Sequence, residues 1–429
     1  MSYLPTPSPV LPDFSDSPLR SYASLLQSKD GSIEARYKNR ILRSAFQPIF
    51  SFAHARPVGF EGLVRANDLA GNSVSPLTLL SEEHAIEGTI FLDRLLRTLH
   101  IANFVHRAFE DSWLFLNVSP SVVINGRTQG PFFRQMLEAW NVPPQQVVVE
   151  VTEDKTSDEG VLEEAASYYK QIGCLVAIDD FGAGYSNFQR IWRLRPDIVK
   201  LDRMLVSHAT RDSAARRGLV GLAGLLHEAG ALVLAEGVET EEEALAVLHA
   251  DVDLLQGFHF QRPFIGPPPC LDKRERFDAL RRSLLNQARE EETEFNAAFR
   301  KYLDSFAKAA ERLAAGEPFS AAVGAFLGLK NVIRAYQLDS DGAQIGENLS
   351  ATDQVAVRNP RHEPLIRATG ANWMHRHYFR RAMSNPETIQ ISRPYLSLTD
   401  PRMCLTLSRV VRSIAGQVVL CCDLNYPIT

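Results

Sequence analysis

From residue 174 to residue 202 the chain reads Cys174-Leu-Val-Ala-Ile-Asp-Asp-Phe-Gly-Ala-Gly-Tyr-Ser-Asn-Phe-Gln-Arg-Ile-Trp-Arg-Leu-Arg-Pro-Asp-Ile-Val-Lys-Leu-Asp202. An apolar run stops on Asp179 and Asp180, a loop with two glycines and a helical stretch follow, and a second apolar run stops on Lys200. Short apolar runs alternating with helical stretches predict strand-helix units and a parallel sheet. The unit recurs in both directions, from about residue 46 to 263. Pro57-Val-Gly-Phe leads into Glu61, Trp113-Leu-Phe-Leu into Asn117, Val147-Val-Val into Glu150, Leu232-Val-Leu-Ala into Glu236 and Asp253-Leu-Leu into Gln256. Seven runs thus deliver polar side chains at their C-terminal ends. That is the geometry of a TIM-like (β/α)8 barrel, whose packed interior leaves the chemistry to the C-terminal rim. An open doubly wound sheet would carry a glycine-rich phosphate turn after its first strand, and none is present.

The length of 429 residues exceeds the roughly 250 that a barrel uses, so a second domain is expected. A formal net charge of −5 excludes a protein whose main task is to neutralise nucleic-acid phosphates, so no nucleic-acid polymer is expected as a partner. The five cysteines (174, 270, 404, 421 and 422) lack zinc or disulfide spacing, which predicts a reduced, cytoplasmic setting. The proline-rich start predicts a flexible lead-in over 1–35 and is not a signal peptide. The most membrane-like window, 218–235, is broken by His227, Glu228 and Gly230 into a helix and a strand, so no membrane insertion is expected.

Convergence of Glu61, Asn117, Glu150, Asp179, Asp180 and Glu236 on one barrel mouth needs an explanation, because a buried carboxylate is costly unless paired or metal-bound. With no histidine or cysteine in the set, the oxygen donors suit Mg2+ or Mn2+ rather than zinc. Two such ions about 3.5–4 Å apart clamp the attacking and leaving oxygens of a phosphodiester displacement. Asp179 and Asp180, side by side just past a strand, are the natural bridge.

Glu61-Gly-Leu-Val-Arg65 resembles the Glu-Ala-Leu motif of EAL domains, and the surrounding stretches match in order. They are Phe46-Gln-Pro-Ile, Asn117-Val-Ser, Glu150-Val-Thr-Glu153, Asp179-Asp-Phe-Gly-Ala-Gly-Tyr-Ser186, Arg195-Pro-Asp-Ile-Val-Lys-Leu-Asp202, Ala235-Glu-Gly-Val-Glu239 and Gln256-Gly-Phe. The resemblance covers about 40–268 and implies hydrolysis of cyclic di-GMP to linear pGpG. It implies that Glu61, Asn117, Glu150 and Asp179 hold one metal, and Asp179 and Asp180 the other. Glu236 and Lys200 would orient and deprotonate the water, Gln47, Arg65 and Gln256 would hold the substrate, and Glu153 would brace the loop 181–186. A catalytically inactive cyclic di-GMP receptor is the alternative; such relatives usually lose a metal ligand or the catalytic glutamate. No GGDEF-type cyclase motif is present. Three places depart from the family pattern. Gly62 replaces the motif alanine, which should loosen its strand slightly; Ala66-Asn67 follow Arg65 where a tryptophan and a basic residue are frequent; and Ala183 replaces a frequent threonine.

Beyond the barrel, expected over 36–270, a charged connector helix is predicted over 271–316. Phe295, Phe299, Tyr302, Phe306, Ala309 and Leu313 form one apolar stripe on it, suited either to packing on its own chain or to a homodimer seam. Residues 317–429 predict a smaller α+β domain. Tyr378-Phe-Arg-Arg-Ala, Ser392-Arg-Pro-Tyr-Leu-Ser397 and Gly416-Gln-Val-Val-Leu-Cys-Cys-Asp423 resemble a PAS- or Cache-like sensor, which implies a small-molecule ligand and regulation of the barrel; a dimerisation module is the alternative.

Overall fold

The computed structural model describes residues 11–12, 14, 19–109, 111–119, 122, 132–151, 159–183, 188–351, 367–398, 402–414 and 416–426. The chain divides into two compact units, 1–285 and 286–429. The first contains strands β1 (Leu26–Lys29), β2 (Ser32–Tyr37), β3 (Arg40–Ser51), β4 (Arg56–Asp68) and β5 (Ser73–Val74). It continues with β6 (Trp113–Val118), β7 (Val147–Val151), β8 (Leu175–Phe181), β9 (Ile198–Leu201), β10 (Leu232–Ala235) and β11 (Leu254–Leu255). Eight of them close a barrel in the order β3-β11-β10-β9-β8-β7-β6-β4, with β4 pairing back onto β3.

The barrel is mixed rather than all-parallel. Residues 52–55 join β3 to β4, far too few for a crossover, so the two strands form an antiparallel pair, and β3 is also antiparallel to β11. The lead-in drawn as flexible to residue 35 ends earlier. Leu19, Tyr22, Leu26, Ile33 and Ala35 are buried, and β1 and β2 extend the sheet antiparallel to β3. Burying these apolar side chains favours ordering the segment, since a leucine or isoleucine among them is worth about 1.5–3 kcal/mol.

A period-two side-chain pattern sets the height of the site within the barrel. Ile49, Phe115, Val148, Ala177, Ile198, Leu234 and Leu254 form one apolar layer inside it. Two residues further toward the rim, on the same strands or one residue past their ends, stand Gln47, Asn117, Glu150, Asp179, Lys200, Glu236 and Gln256. β3 runs the opposite way, so its rim residue precedes its layer residue. Gly59 belongs to this layer on β4, where a Cβ would stand 2.6 Å from the Phe115 ring; the missing side chain lets that ring fill the interior.

Side-chain caps hold the connections. Asp197 and Asp253 accept the Val176 and Val233 backbone N–H groups, each at 2.8 Å, which ties each loop to the neighbouring strand start. A capping box of Thr240 and Glu243 starts the helix Glu241–His249 and fixes the turn that follows Glu236.

The second unit is an antiparallel sheet of six strands: β12 (Val332–Leu338), β13 (Gln344–Ser350), β14 (Gln390–Ile391), β15 (Tyr395–Leu396), β16 (Met403–Ser413) and β17 (Gly416–Asn425). Its order is β13-β12-β17-β16-β14, with β15 also on β16. The helix Arg274–Ala314 contributes Phe299, Tyr302, Phe306, Ala309 and Leu313 to one face of this sheet, beside the helix Phe319–Leu327. That part of the stripe packs on its own chain, while Phe295 stays exposed. The other face carries Tyr336, Tyr378 and Phe379, so the adjacent Cys422 and Cys421 fall into different clusters, as strand alternation requires. In the first unit, Phe277 of the same long helix packs against Phe50 and Phe260. The expected architecture of a TIM-like barrel, a long helix and a smaller α+β domain is therefore present.

Among the described residues, no helix is long and apolar enough to cross a membrane.

Candidate active site

At the rim of the barrel Lys200 is enclosed, with 1% of its side chain exposed. Its Nζ lies 2.6 Å from Glu150 Oε1, 2.9 Å from Asp179 Oδ1 and 2.6 Å from Glu236 Oε1. Sequence reasoning brought Glu150, Asp179 and Glu236 to one barrel mouth and Lys200 to Glu236, but not the three ion pairs that Lys200 makes there. Burial alone would lower the Lys200 pKa, but the pull of Asp179, Glu150 and Glu236 outweighs it and holds the pKa well above the ordinary value. The lysine is therefore an ammonium. Burial raises the pKa of Glu150 well above that of a free carboxylate, and the neighbouring carboxylates add to this against Lys200. Burial likewise pushes Glu236 up to about 8, helped by Asp179 and Glu61 and opposed by Lys200.

Glu61 is held by two amide groups: Asn117 Nδ2 donates to its Oε1 at 3.0 Å and Gln256 Nε2 to its Oε2 at 2.6 Å. Gln256, expected to hold the substrate, is thus buried against Glu61. Gln47 stands directly opposite Glu61 in the β3–β4 register and is half-buried. Arg65 Nη1 donates to the Val64 carbonyl at 2.9 Å; burial lowers its pKa, and Glu61 opposes that shift. Glu153 lies outside the described residues, as do residues 184–186 of the loop expected over 181–186.

Asp179 and Asp180 lie within β8 rather than past its end. Successive strand residues ordinarily face opposite sides. Here the β8–β9 register shifts between Ile178 and Phe181, and Asp180 adopts a left-handed φ of 53°. This bulge turns both carboxylates the same way, so that single oxygens of Asp179, Asp180 and Glu236 lie within 4.8 Å of one another. Such a bend costs backbone energy, of order 1–3 kcal/mol, and strain of this kind clusters at functional sites.

The donor set fits divalent cations. Around the Lys200 ammonium stand Glu61, Glu150, Asp179 and Glu236, with Asp180 beside the last two, and Glu150 Oε2 has no hydrogen-bond donor among the described residues. Excess buried negative charge with a free oxygen suits hard, oxygen-seeking ions. Beside this cup is a cavity of about 320 Å³, lined among others by Gly62, Arg65, Leu80, Leu96, His100 and Asn117.

The EAL-domain profile matches residues 31–263, just over half of the chain. The chain belongs to the EAL-domain family. An uncharacterised protein of Azorhizobium caulinodans is 32% identical over 232 residues, 52% of this chain and 31% of that protein. The cyclic di-GMP phosphodiesterase PdeF of Escherichia coli is 29% identical over 170 residues, covering 39% and 22% of the two chains. The cyclic di-GMP phosphodiesterase RocR of Pseudomonas aeruginosa is 29% identical over 156 residues, covering 35% and 38%. The chain therefore spans well under two thirds of these relatives' lengths. Among solved structures, the YkuI protein of Bacillus subtilis, which has an EAL domain and was crystallised with substrate c-di-GMP and calcium, superposes with a TM-score of 0.75. It covers 90% of this chain and 96% of that one at 20% identity, a likeness of fold that extends over both units. Gly62 stands where the motif alanine was expected. The space of the missing methyl is not empty: the imidazole of His100, a residue that carried no sequence signal, occupies it.

Proposed function

We propose that this chain is a metal-dependent phosphodiesterase that hydrolyses cyclic di-GMP to linear pGpG. The observation that carries the reading is the enclosed Lys200 among the rim carboxylates, with Asp179 and Asp180 turned together by a bulge. Glu61, Asn117, Glu150 and Asp179 would hold one Mg2+ or Mn2+, and Asp179 and Asp180 the other. Two ions bound there would neutralise the phosphodiester and supply an activated water. Glu236, held against the Lys200 ammonium and close to Asp179 and Asp180, is suited to accept the water's proton. Lys200, already charged, orients Glu236 and offers positive charge to the developing phosphorane. Arg65 and Gln47 take the substrate, the guanidinium fork suiting a phosphate oxygen. Gln256 serves by holding Glu61, and Glu153 by bracing the loop after β8.

We assign residues 36–270, with β1 and β2 joined to their sheet, to the phosphodiesterase barrel, 271–316 to a connector helix and 317–429 to a PAS- or Cache-like domain that regulates the barrel within a cytoplasmic homodimer. The two-faced antiparallel sheet supports that reading of the last segment.

The test is incubation of the purified protein with cyclic di-GMP and Mn2+ or Mg2+, with cyclic and linear products resolved by chromatography. Linear pGpG that disappears with chelator supports the enzyme. Tight binding with no linear product would replace it with a receptor.

A further inference from the structure

A Cβ placed on Gly62 would stand 2.9 Å from His100 Cγ, 3.1 Å from its Cβ and 3.3 Å from its Cδ2. The first separation is closer than side chains tolerate, so the imidazole occupies the volume that an alanine methyl would take. It does so on the face of β4 opposite Glu61 and Arg65, since strand side chains alternate. The ring is anchored. His100 is buried in the helix Ile86–His106, and its Nδ1 lies 2.9 Å from Ser44 Oγ on β3, a hydroxyl that Asn103 Nδ2 also reaches at 3.3 Å. Burial first, and the Arg65 charge second, hold the imidazole neutral, with a pKa of about 3. Gly62 and His100 also share a wall of the cavity beside Arg65 and Asn117.

We propose that Gly62 and His100 are a matched small–large pair in which the His100 ring sets the β4 backbone between Glu61 and Arg65, making His100 a positioning residue for substrate binding. The inference rests on the phosphodiesterase reading. Displacement at Gly62 is passed along β4 to Arg65, three residues later, whereas Glu61 on its other side is pinned by Asn117 and Gln256. Arg65 must meet a phosphate oxygen with its donors aligned, and hydrogen bonds weaken steeply with misalignment. Lys200 and Glu236 sit on β9 and after β10, which are not neighbours of β4. The effect should therefore fall on KM and spare kcat.

The experiment compares full-length wild type, Gly62→Ala, His100→Ala, the double variant and Ser44→Ala, in manganese-dependent turnover and in cyclic di-GMP binding with calcium. Either single change should raise KM about tenfold, by overpacking or by a void, with kcat within about threefold. The double variant should return KM to within about threefold of wild type, because the new methyl takes the space the ring leaves. Ser44→Ala releases the ring without altering volume at the strand and should raise KM about threefold, which keeps the test open if a single variant fails to fold. Single variants with wild-type KM, or a double variant no better than the singles, overturn the pairing. A wild-type protein that neither turns over nor binds cyclic di-GMP overturns the phosphodiesterase reading itself, and with it this role.

Discussion

Lys200→Met removes the ammonium that touches Glu150, Asp179 and Glu236 while keeping an unbranched side chain in the barrel. Glu150 has no exposed side-chain surface, so its charge has no recourse to water. Removing one partner of a buried ion pair costs about 3–5 kcal/mol because the other charge is left uncompensated. In a domain of this size each kcal/mol moves the midpoint by about 2–4 °C, so the barrel transition should fall by roughly 6–20 °C in chelator. The carboxylates can escape by protonation, so the loss should be larger at pH 8 than at pH 5.5. Added Mn2+ should restore most of it, since bound cations take over the role of the lost ammonium. Differential scanning calorimetry of both proteins, in EDTA and in manganese, reads all three effects. A variant that melts like wild type in EDTA at pH 8, or whose loss manganese leaves untouched, refutes the view of Lys200 as the counter-ion of the acidic cup.

The raised pKa of Glu236 has its own pH signature. A carboxyl whose folded pKa rises from 4.5 to about 8 contributes stability that is full below 4.5 and lost as pH rises through 8. Metal-free wild type should therefore melt lower at pH 8.5 than at pH 6, and a rising or flat midpoint in EDTA contradicts the assignment. Asp179→Asn should cut hydrolysis by roughly a thousandfold or more, because both proposed metal sites lose their shared charge; near-normal turnover sinks the two-metal arrangement. In the second unit, Asp423 is buried and accepts from Arg334 Nε at 2.7 Å and Thr406 Oγ1 at 2.8 Å. Asp423→Ala should destabilise that unit by about 3–5 kcal/mol, read by chemical denaturation, and an unchanged transition argues against the pair's burial. Removing residues 286–429 avoids exposing Phe299, Tyr302 and Phe306, and the remaining barrel should differ from the full chain in rate by about fivefold or more if the domain regulates it; identical rates and oligomeric state make the domain a passenger.

The sequence by itself determined the barrel, the second domain and the membership of the acidic rim. Apolar runs must end where a strand leaves the core, and seven of them end on polar residues. That made Glu61, Asn117, Glu150, Asp179, Lys200, Glu236 and Gln256 visible as a group before any distance was known. The helix stripe from Phe295 to Leu313 was legible because its periodicity reports one buried face, and the part from Phe299 onward is buried. Only the tertiary structure decided who touches whom. Lys200 meets three carboxylates because β7, β8 and β9 lie side by side and β10 follows, and closure of the barrel places Gln256, far away in sequence, on Glu61. The shared direction of Asp179 and Asp180 depends on a register slip against β9, a relation between two strands that neither strand encodes alone. The antiparallel entry of β3 follows from a short hairpin that apolar runs do not distinguish from a crossover. The filling of the Gly62 vacancy by His100 needed the helix Ile86–His106 packed on β4, because a missing methyl is read from sequence as a loss, whereas close packing assigns its volume to a neighbour.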